Sequence, residues 1–421
     1  MIQLSSDVLI NRLFTYFSIE KKNFRDLSKI FFGEPSLYYY IYLNNHERNK
    51  LFSFFTGVSF FSRELAFQKC FFELLEKKSF LLKPKEEKVI FKKLPFEEDF
   101  YQNNVIFEEK ETIQKIIETG NIKQVKKMSL YFEEWIEGED LTNNKQVLLP
   151  AQLIYPYLSS LYSSFLMNGA AADYNKKNAI IRAIYETIER DAKVNLFIKK
   201  KFPKKLSKKI LCKIKPVFLI IKKYHQYRLK PVILDITSDL NIPVFMTVLF
   251  DFSETNNPFV SFGYRAGLDI EEAIIGSLED AFFSRIIQKL RNRLFPYFET
   301  NKIVIFLNKR KVYIPEYSYN YIQSSAAYYL LNSFSKITTT SYLYKNKFKK
   351  KLKVDEQLRL VLSMLKEKGY KVYIKDISPQ ILSTVQVFVI KAIIPGLHPN
   401  FNYEGKSIFF CNRLVSKFSH L

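Results

Sequence analysis

Three segments with helical character carry acidic side chains at the same distances from an alanine. Each alanine is followed by an acid seven residues later, and in two copies by a second acid ten residues later. The alanine and the two following positions are Ala66, Glu73 and Glu76; Ala179, Glu186 and Glu189; and Ala273, Asp280 and Phe283. On a helix, positions three apart lie on one face, about 5–6 Å from each other. We therefore expect a fold in which several helices present acidic faces.

Paired carboxylates on one helix face have two interpretations. They can hold a divalent cation, and Mg²⁺ on nucleotide phosphates is the usual partner because it accepts a few carboxylates and keeps several waters. Without a cation the two charges repel each other. The alternative is an exposed helix face whose acids form surface salt bridges, which is common in any protein. Spacing alone therefore indicates no more than a divalent-metal or nucleotide site.

Composition sets the class of protein. The chain has 421 residues, 47% of them hydrophobic and 16% aromatic, so it is globular and fills one large domain or two ordinary ones. Its net charge of +23 favours anionic partners. The densest basic stretches, Lys199–Lys215 and Lys345–Lys353, are interpreted as solvated surface, since no nucleic-acid-binding motif accompanies them. A nucleic-acid role ranks last among the hypotheses.

Cysteine and histidine usage argues against a metal framework of the zinc type. Cys70, Cys212 and Cys411 are far apart and form no CxxC pair, and the four histidines are scattered. The N-terminus lacks the basic and apolar regions of a signal peptide, and no apolar run reaches about 18 residues. We therefore expect a cytoplasmic protein without a membrane span.

The hydrophobic pattern mixes helices and strands without regular alternation. Helices are predicted at 62–78, 151–164, 175–197, 270–292 and 355–368, and strands at 89–91, 147–150, 231–236, 243–250, 371–374 and 385–394. The two strands between 231 and 250 are separated by a short turn and are expected to be neighbours in one sheet. The predicted fold class is therefore α+β with mixed sheets.

Six blocks of sequence, in this order, resemble the motifs of the YcaO family. They are Thr56-Gly57 running on to Glu73–Lys77; Val147–Ala151; Asn168–Ala172 running on to Glu186–Ala192; Asp235–Val244; Phe259–Gly263 leading to Ser284-Arg285; and Ile394–Pro399. The resemblance implies a YcaO-like domain over residues 51–415, with ATP-binding helices that carry the ExxE pairs. Residues 1–50 are then a variable N-terminal region.

The resemblance also implies cofactors and site residues. ATP and Mg²⁺ are the implied cofactors, and ATP phosphorylates the oxyanion formed when a nucleophile adds to a peptide amide, so that the oxygen can leave as phosphate. The implied metal ligands are Glu73, Glu76, Glu186, Glu189 and Asp280. The implied ATP and phosphate contacts are Arg190, Asn168, Gly169 and Ala171. For Arg190 an ion pair with Glu186 stays an equal alternative, and the motifs assign no catalytic residue.

The function implied by the resemblance is activation of backbone amides in the biosynthesis of ribosomal peptide natural products such as bacteriocins. Azoline-forming cyclodehydration of Cys, Ser or Thr is the leading hypothesis. Thioamide formation and a non-catalytic scaffold that binds a peptide or partner are the alternatives. The implied partners are a precursor peptide and a separate E1-like (ocin-ThiF-type) leader-binding protein, and a homodimer stays open.

Several positions depart from the family pattern. Val58 and Ser59 follow Gly57 where a lysine is usual, and the turn after Gly169 continues to Ala172-Asp173-Tyr174 instead of a Gly-Asn pair. Asn178, Phe283 and Lys77 also stand where the family has other residues, and Asp280 replaces a glutamate. The chain ends without the Pro-rich tail of many azoline-forming members. These departures motivate the two alternatives to cyclodehydration.

Overall fold

The structure of the chain is a computed structural model. It describes residues 7–17, 19–26, 38–43, 54–81, 90–95, 131–155, 168–198, 203–253, 259–294, 302–307, 310–315, 321–322, 339–340 and 352–397. Cys411, the motif residues His398 and Pro399, and most of the basic stretch Lys345–Lys353 lie outside these ranges.

Helices and strands alternate irregularly along the described chain. The α-helices are α1 (Asp7–Tyr16), α2 (Arg63–Leu81), α3 (Lys176–Ile198), α4 (Lys208–Leu211), α5 (Lys215–Gln226), α6 (Ile270–Leu294) and α7 (Val354–Glu367). Short 3₁₀ turns cover Lys21–Asn23, Ala151–Leu153 and Gln380–Val385.

The strands form sheets in both halves of the chain. They are β1 (Phe24–Asp26), β2 (Tyr38–Leu43), β3 (Phe54–Ser59), β4 (Ile90–Pro95), β5 (Tyr131–Asp140), β6 (Lys145–Pro150), β7 (Ala170–Asp173), β8 (Lys204–Leu206), β9 (Leu229–Asp235), β10 (Val244–Asp251), β11 (Phe259–Ala266), β12 (Lys302–Leu307), β13 (Arg310–Pro315), β14 (Tyr321–Ile322), β15 (Thr339–Thr340), β16 (Tyr373–Asp376) and β17 (Phe388–Ile393).

Two large sheets and two small ones result from this order. One large sheet, sheet I, runs β14-β11-β10-β9-β8-β15, and the other, sheet II, runs β4-β5-β16-β17-β7 with β6 paired to β5. The small sheets are β1-β2-β3 and β12-β13. Every described strand pair is antiparallel except β15 with β8.

Strand β10 lies at the centre of sheet I and is buried along its whole length. Successive side chains of a strand point to opposite faces, so a strand covered on both faces is apolar at nearly every position. Val248 and Phe250 belong to the core cluster of α3, whereas Phe245 and Leu249 belong to the cluster of α6. On the α6 side the Thr247 hydroxyl is 2.7 Å from that of Ser277. The nearly continuous apolar sequence of β10 thus reflects its position between helices on both faces of the sheet.

Helix α3 packs between the two large sheets. Its buried side chains Ile180, Ile181, Ile184 and Ile188 share one core cluster with side chains of β9–β11 and of β16 and β17. Helix α2 packs with α1, the outer face of sheet II and the small β1-β2-β3 sheet, in a second cluster that contains Leu74 and other side chains of α2. The acid-bearing helices are therefore anchored by their apolar faces.

Two glycines allow the strands before α2 and α6 to lie very close to these helices. A β-carbon on Gly57 of β3 would overlap the backbone of Ala66 and Cys70 in α2. A β-carbon on Gly263 of β11 would likewise overlap the backbone of Ser277 and Ala281 in α6. Both strands therefore approach their helix at backbone distance, which leaves no room for a side chain.

The predicted elements agree with the structure except at one point. The α+β class is confirmed, and β9 and β10 are antiparallel neighbours, as predicted. The helix predicted at 151–164 is wrong over its first part, because residues 151–153 form a 3₁₀ turn. Pro156 accounts for this, since a proline disfavours helical geometry in the residue before it. Residues 156–164 lie outside the described ranges.

Within the described residues, no helix is both long enough and apolar enough to cross a membrane. Cys70 is buried and donates a hydrogen bond to the Phe55 carbonyl at 3.4 Å, and Cys212 is exposed.

Candidate functional site

Helix α2 places two carboxylates under the ends of β3 and β7. Glu73 Oε2 accepts hydrogen bonds from the backbone nitrogen of Thr56 at 2.8 Å and from its hydroxyl at 3.3 Å. Glu76 Oε1 accepts one from the backbone nitrogen of Ala172 at 2.8 Å. Each glutamate therefore joins α2 to a strand, and neither points into open solvent.

Helix α3 repeats this arrangement with a second pair. Glu186 Oε2 accepts hydrogen bonds from the backbone nitrogens of Gly169 at 3.0 Å and Ala170 at 3.1 Å. Its other oxygen pairs with Arg190 at 3.3 Å, and the same guanidinium lies 3.7 Å from Glu189. Glu189 is 6% exposed. The i, i+4 ion pair of Arg190 with Glu186, one of the two alternatives for this arginine, is thus present.

Helix α6 brings a third acidic position to the same region. Asp280 forms an ion pair with Arg265 of β11 at 2.9 Å. The residue before it, Glu279, is buried, accepts a hydrogen bond from the backbone nitrogen of Phe60 at 3.2 Å and pairs with Lys69 of α2 at 2.5 Å. The Lys69–Glu279 pair therefore ties α6 to α2.

Mutual repulsion shows that the carboxylates of the three helices lie near one another. Burial raises the pKa of Glu76 to about 7, and the charge of Glu186 on α3 adds to the increase. Burial also raises the pKa of Glu189 to about 7, with contributions from Asp280 on α6 and from Glu186. The pKa of Glu73 is raised by burial and by Asp280. Each pair of helices, α2–α3, α2–α6 and α3–α6, is thus linked by two acids that repel each other.

Cationic side chains surround these acids. Asp280 raises the pKa of Arg265 well above its usual value, more than burial lowers it. Burial lowers the pKa of Arg190, but Glu189 and Glu186 outweigh it and the net shift is upward. Among the described residues, the Nε–H groups of these two arginines are buried and donate to no hydrogen-bond acceptor. Both guanidiniums therefore keep donor capacity for a further anion.

Two buried lysines complete the surroundings. Burial lowers the pKa of Lys193 to about 7, and its ammonium lies 4.9 Å from the centre of the Tyr264 ring. Burial likewise lowers the pKa of Lys391 to about 7, although the charge of Glu186 opposes the shift. Lys391 donates a hydrogen bond to the carbonyl oxygen of Asn168.

The residues predicted to contact ATP lie beside these groups. Gly169 and Asn168 join Glu186 and Lys391 through their backbone atoms. Ala171 is a buried residue of β7, paired in register with Ile390 of β17. Their role as ATP contacts stays a prediction.

The departures from the family pattern have local structural roles. Tyr174 packs edge-on against Phe72, with ring centres 5.0 Å apart, and burial raises its pKa to about 12. Asn178 donates a hydrogen bond to Asp173 at 3.3 Å. Phe283 packs against the core cluster of α6. The tyrosine and the phenylalanine thus fill space with apolar rings next to the acidic helices.

Sequence reasoning missed the partners of the predicted acids. Lys69 and Arg182 both occupy the third position after the alanine of their repeat, one turn before the first acid. Arg182 donates to the Ala172 carbonyl at 3.1 Å and lowers the pKa of Glu76, although burial dominates. That shared basic position was a usable signal. Nothing in the spacing indicated Arg265 or Lys391, because they reach the site from distant strands.

Comparison with known proteins identifies the class to which this fold and site belong. A family model described as YcaO cyclodehydratase, ATP- and Mg²⁺-binding, matches residues 130–398. The match spans more than half of the chain, and the chain belongs to the YcaO family. ATP and Mg²⁺, the cofactors that the resemblance implied, are those of the matched family.

Solved structures show the same fold at low sequence identity. YcaO from Methanopyrus kandleri, bound with AMPPCP and Mg²⁺, has a TM-score of 0.56 and 15% identity, covering 93% of this chain and 90% of its own. A heterocyclase in complex with substrate and cofactor has a TM-score of 0.63 and 15% identity, covering 92% of this chain and 52% of its own.

A curated sequence relative covers a smaller part. It is an uncharacterized protein of Methanothermobacter thermautotrophicus, 29% identical over 164 residues, which make up 37% of this chain and 42% of the relative. The chain thus spans about half the length of that heterocyclase and less than half of this relative.

The site fits magnesium bound to a nucleotide, although not a cage made of protein ligands alone. Among the described residues, no three His, Cys, Asp or Glu side chains are grouped closely enough to hold a metal. Mg²⁺ on a polyphosphate needs only one or two carboxylates per ion, with phosphate and water oxygens for the rest. Burial keeps the pKa values of Glu76 and Glu189 near 7 although Arg182 and Arg190 lower them, and such an ion would add the positive charge that favours the ionised carboxylates.

Proposed function

We propose that this protein is an ATP-dependent enzyme that activates backbone amides of a ribosomally made peptide, and that it forms azolines from Cys, Ser or Thr. One observation supports this proposal above the others. Asp280 on α6 adds to the raised pKa values of Glu73 on α2 and Glu189 on α3, so these carboxylates lie around one region, and two arginines with buried Nε atoms that lack a described acceptor lie in it. The same region thus contains acids that could bind magnesium and arginines that could bind phosphate.

The proposed metal ligands are the acids of the three repeats. Glu73 and Glu76 on α2, Glu186 and Glu189 on α3, and Asp280 on α6 would share the magnesium ions, aided by water and phosphate oxygens. When bound, ATP would supply the phosphoryl group that converts the amide oxygen into a leaving group, and magnesium would neutralise charge on the phosphates. The hydrogen bonds from Thr56, Ala172, Gly169 and Ala170 hold three of these carboxylates in place.

The proposed phosphate contacts are cationic or are backbone N–H groups. Arg190 lies half-buried between two acids, and its planar donor fork suits a phosphate oxygen. Arg265 pairs with Asp280 and keeps a buried Nε atom without a hydrogen-bond partner among the described residues. Asn168 and Gly169 directly precede β7 and Ala171 lies in it, next to the backbone that binds Glu186. Such preorganised donors stabilise developing charge without reorganisation.

The domain, partners and location are part of the same proposal. Residues 51–415 would form the YcaO-like domain, and residues 1–50 a variable N-terminal region. A precursor peptide and a separate E1-like leader-binding protein are the proposed partners. An enzyme that consumes ATP and acts on ribosomal products is proposed to work in the cytoplasm.

The test is turnover with the native peptide. The native Cys/Ser/Thr-rich precursor peptide and its E1-like partner protein are incubated with the protein, ATP and Mg²⁺. We expect phosphate release, together with the loss of one water mass for each ring formed. Glu189→Gln is expected to abolish both, whereas Glu64→Gln, an exposed change on α2, retains both.

Each other outcome has a defined meaning. A mass change that corresponds to replacement of oxygen by sulfur, dependent on a sulfide donor, would assign thioamide formation instead. Absence of ATP binding would assign a non-catalytic scaffold, a role that the apolar rings of Tyr174 and Phe283 near the acids would suit. No mass change despite ATP binding would contradict the proposal.

A further inference from the structure

The segment from Pro203 to Lys230 concentrates positive charge without any acid. It contains ten basic residues and no Asp or Glu: Lys204, Lys205, Lys208, Lys209, Lys213, Lys215, Lys222, Lys223, Arg228 and Lys230. It forms β8, α4, α5 and the start of β9. None of its nine lysines forms an ion pair with another described residue. Apart from Lys204, whose charge lowers the pKa of the nearby Asp235, the lysines of this segment have no acid as an ion-pair partner within the described chain.

Helix α5 is held against the core by one face only. Val217, Ile220 and Tyr224 are its buried residues. The Tyr224 hydroxyl donates to the Leu278 carbonyl of α6 at 2.9 Å, and its ring stacks on Phe282 with centres 5.6 Å apart. The contacts fix the orientation of the helix and thereby its outer face.

That outer face carries two large apolar side chains between two lysines. Phe218 is 41% exposed and Leu219 is 48% exposed. Lys215 precedes them by three and four residues, and Lys222 follows at the same spacings, so all four side chains lie together on one helix face. Both lysines are exposed. The result is a small apolar spot bracketed by positive charge.

Further lysines gather near the end of the helix. The ammonium groups of Lys208 and Lys230 lower the pKa of His225 on α5, in addition to its burial, and they also lower that of Lys205. Charges close enough to repel each other in this way attract a polyanion. We name Lys215, Phe218, Leu219 and Lys222, with Lys205, Lys208 and Lys230 beside them, the α5 surface.

We propose that the α5 surface binds an acidic peptide segment that carries one or two large apolar side chains. Charge complementarity selects acidic residues, and Phe218 with Leu219 offers the apolar contact that anchors protein interfaces at their centre. The assignment does not rest on the proposed function, because none of these residues belongs to the acidic site.

Two other polyanions fit the α5 surface less well. Nucleic-acid sites favour arginine, whose fork matches phosphate, whereas this segment has nine lysines and one arginine. A nucleic-acid backbone would also leave Leu219 without an apolar partner. A membrane-bound helix buries a continuous apolar face in the lipid, but the main apolar face of α5 is already packed on the protein.

The test measures binding of a defined peptide to the full chain. The probe is a fluorescent peptide of Asp and Glu residues around a central Phe-Leu pair, followed by anisotropy at moderate salt. We expect Lys215→Glu/Lys222→Glu to weaken binding at least about ten-fold, and Phe218→Ser/Leu219→Ser to weaken it about ten-fold. Lys366→Glu/Lys368→Glu, an equal change of charge at exposed positions on α7 and just after it, should leave binding unchanged.

The proposal is overturned by any of five results. The peptide fails to bind, or the α7 control weakens binding as much as the α5 changes. Replacing Phe-Leu by Ser-Ser in the peptide has no effect, which would mean general attraction of polyanions. Finally, single-stranded RNA or phosphatidylserine vesicles displace the peptide at lower concentration, which would assign the surface to those ligands. A second copy of the chain as occupant would appear as a dimer that Phe218→Ser/Leu219→Ser dissociates, and it would also overturn the proposal.

Discussion

Glu76 and Glu189 are carboxyl groups whose surroundings oppose their ionisation. Burial and neighbouring acids raise the pKa of both to about 7, from a usual value near 4.5. Buried carboxylates of this kind destabilise the folded protein and are typical of functional sites, where a bound cation stabilises their ionised form. We propose that magnesium bound to its nucleotide stabilises the ionised forms of Glu76 and Glu189.

Glu76→Gln should therefore stabilise the ligand-free protein as the pH rises. The folded-state pKa lies above the unfolded one, so the native state is favoured while Glu76 is protonated and is penalised as the pH rises from about 4.5 through 7. A neutral glutamine avoids this penalty. The variant should match the parent near pH 5 and exceed its free energy of unfolding by up to about 3 kcal/mol at pH 8.

Urea unfolding at the two pH values measures this difference. Glu64→Gln, at an exposed position of the same helix, should show almost none. A gap between variant and parent that narrows with rising pH would contradict the direction of the shift.

Lys69 and Glu279 form the ion pair that sequence spacing did not reveal. Glu279 is 5% exposed at its side chain and Lys69 is 35% exposed, so the acid depends on the base for compensation. Lys69→Met should lower the free energy of unfolding by about 2 kcal/mol. The loss is smaller than for a fully buried ion pair because Lys69 is partly solvated.

The matching double variant makes the test specific. Lys69→Met/Glu279→Gln should recover part of that loss in thermal or urea unfolding, because no buried charge is left alone. A double variant that loses as much as Lys69→Met and Glu279→Gln together would show that the pair is not coupled.

At the scale of elements, the acidic repeat depends on close contacts between a strand and a helix. Gly57→Ala and Gly263→Ala would each drive a methyl group into helix backbone, which cannot move as a flexible side chain can. We expect each to lower the free energy of unfolding by at least about 2 kcal/mol.

Gly267→Ala is the matched control for these changes. Its β-carbon would meet no atom closer than 3.7 Å, an ordinary contact. Thermal unfolding should leave it near the parent, and a loss equal to that of Gly263→Ala would refute the close-approach argument.

Sequence periodicity predicted α3 well, because the spacing of Ile180, Ile181, Ile184 and Ile188 shows its apolar face, and the helical segments of α2 and α6 were also predicted. Their approximate ends followed from turns and polar starts, such as Asn175, whose side chain accepts hydrogen bonds from the backbone of Lys177 and Asn178. The cationic partners could not be predicted, since Arg265 and Lys391 come from strands whose position depends on tertiary pairing. The segment 300–353 gave no readable pattern, and only its short strands β12–β15 are described.

At the scale of the whole molecule, the site combines parts of the chain that are distant in sequence. Helix α2 precedes the region matched by the family model, which begins at residue 130, whereas α3 and α6 lie inside it. Sheet I carries α6 and sheet II carries β7, and α3 between them holds Glu186 and Glu189. The proposed magnesium–nucleotide site therefore requires that the three helices bind one ligand together.

Calorimetric titration of magnesium-ATP into the parent, Glu76→Gln, Glu189→Gln and the double variant tests this requirement most directly. If α2 and α3 share one magnesium–nucleotide cluster, the parent binds ATP only with Mg²⁺. Each single change then weakens binding at least about ten-fold, and the double variant loses less than the two losses combined. Independent, additive losses would contradict a shared cluster, and so would single variants that bind as tightly as the parent.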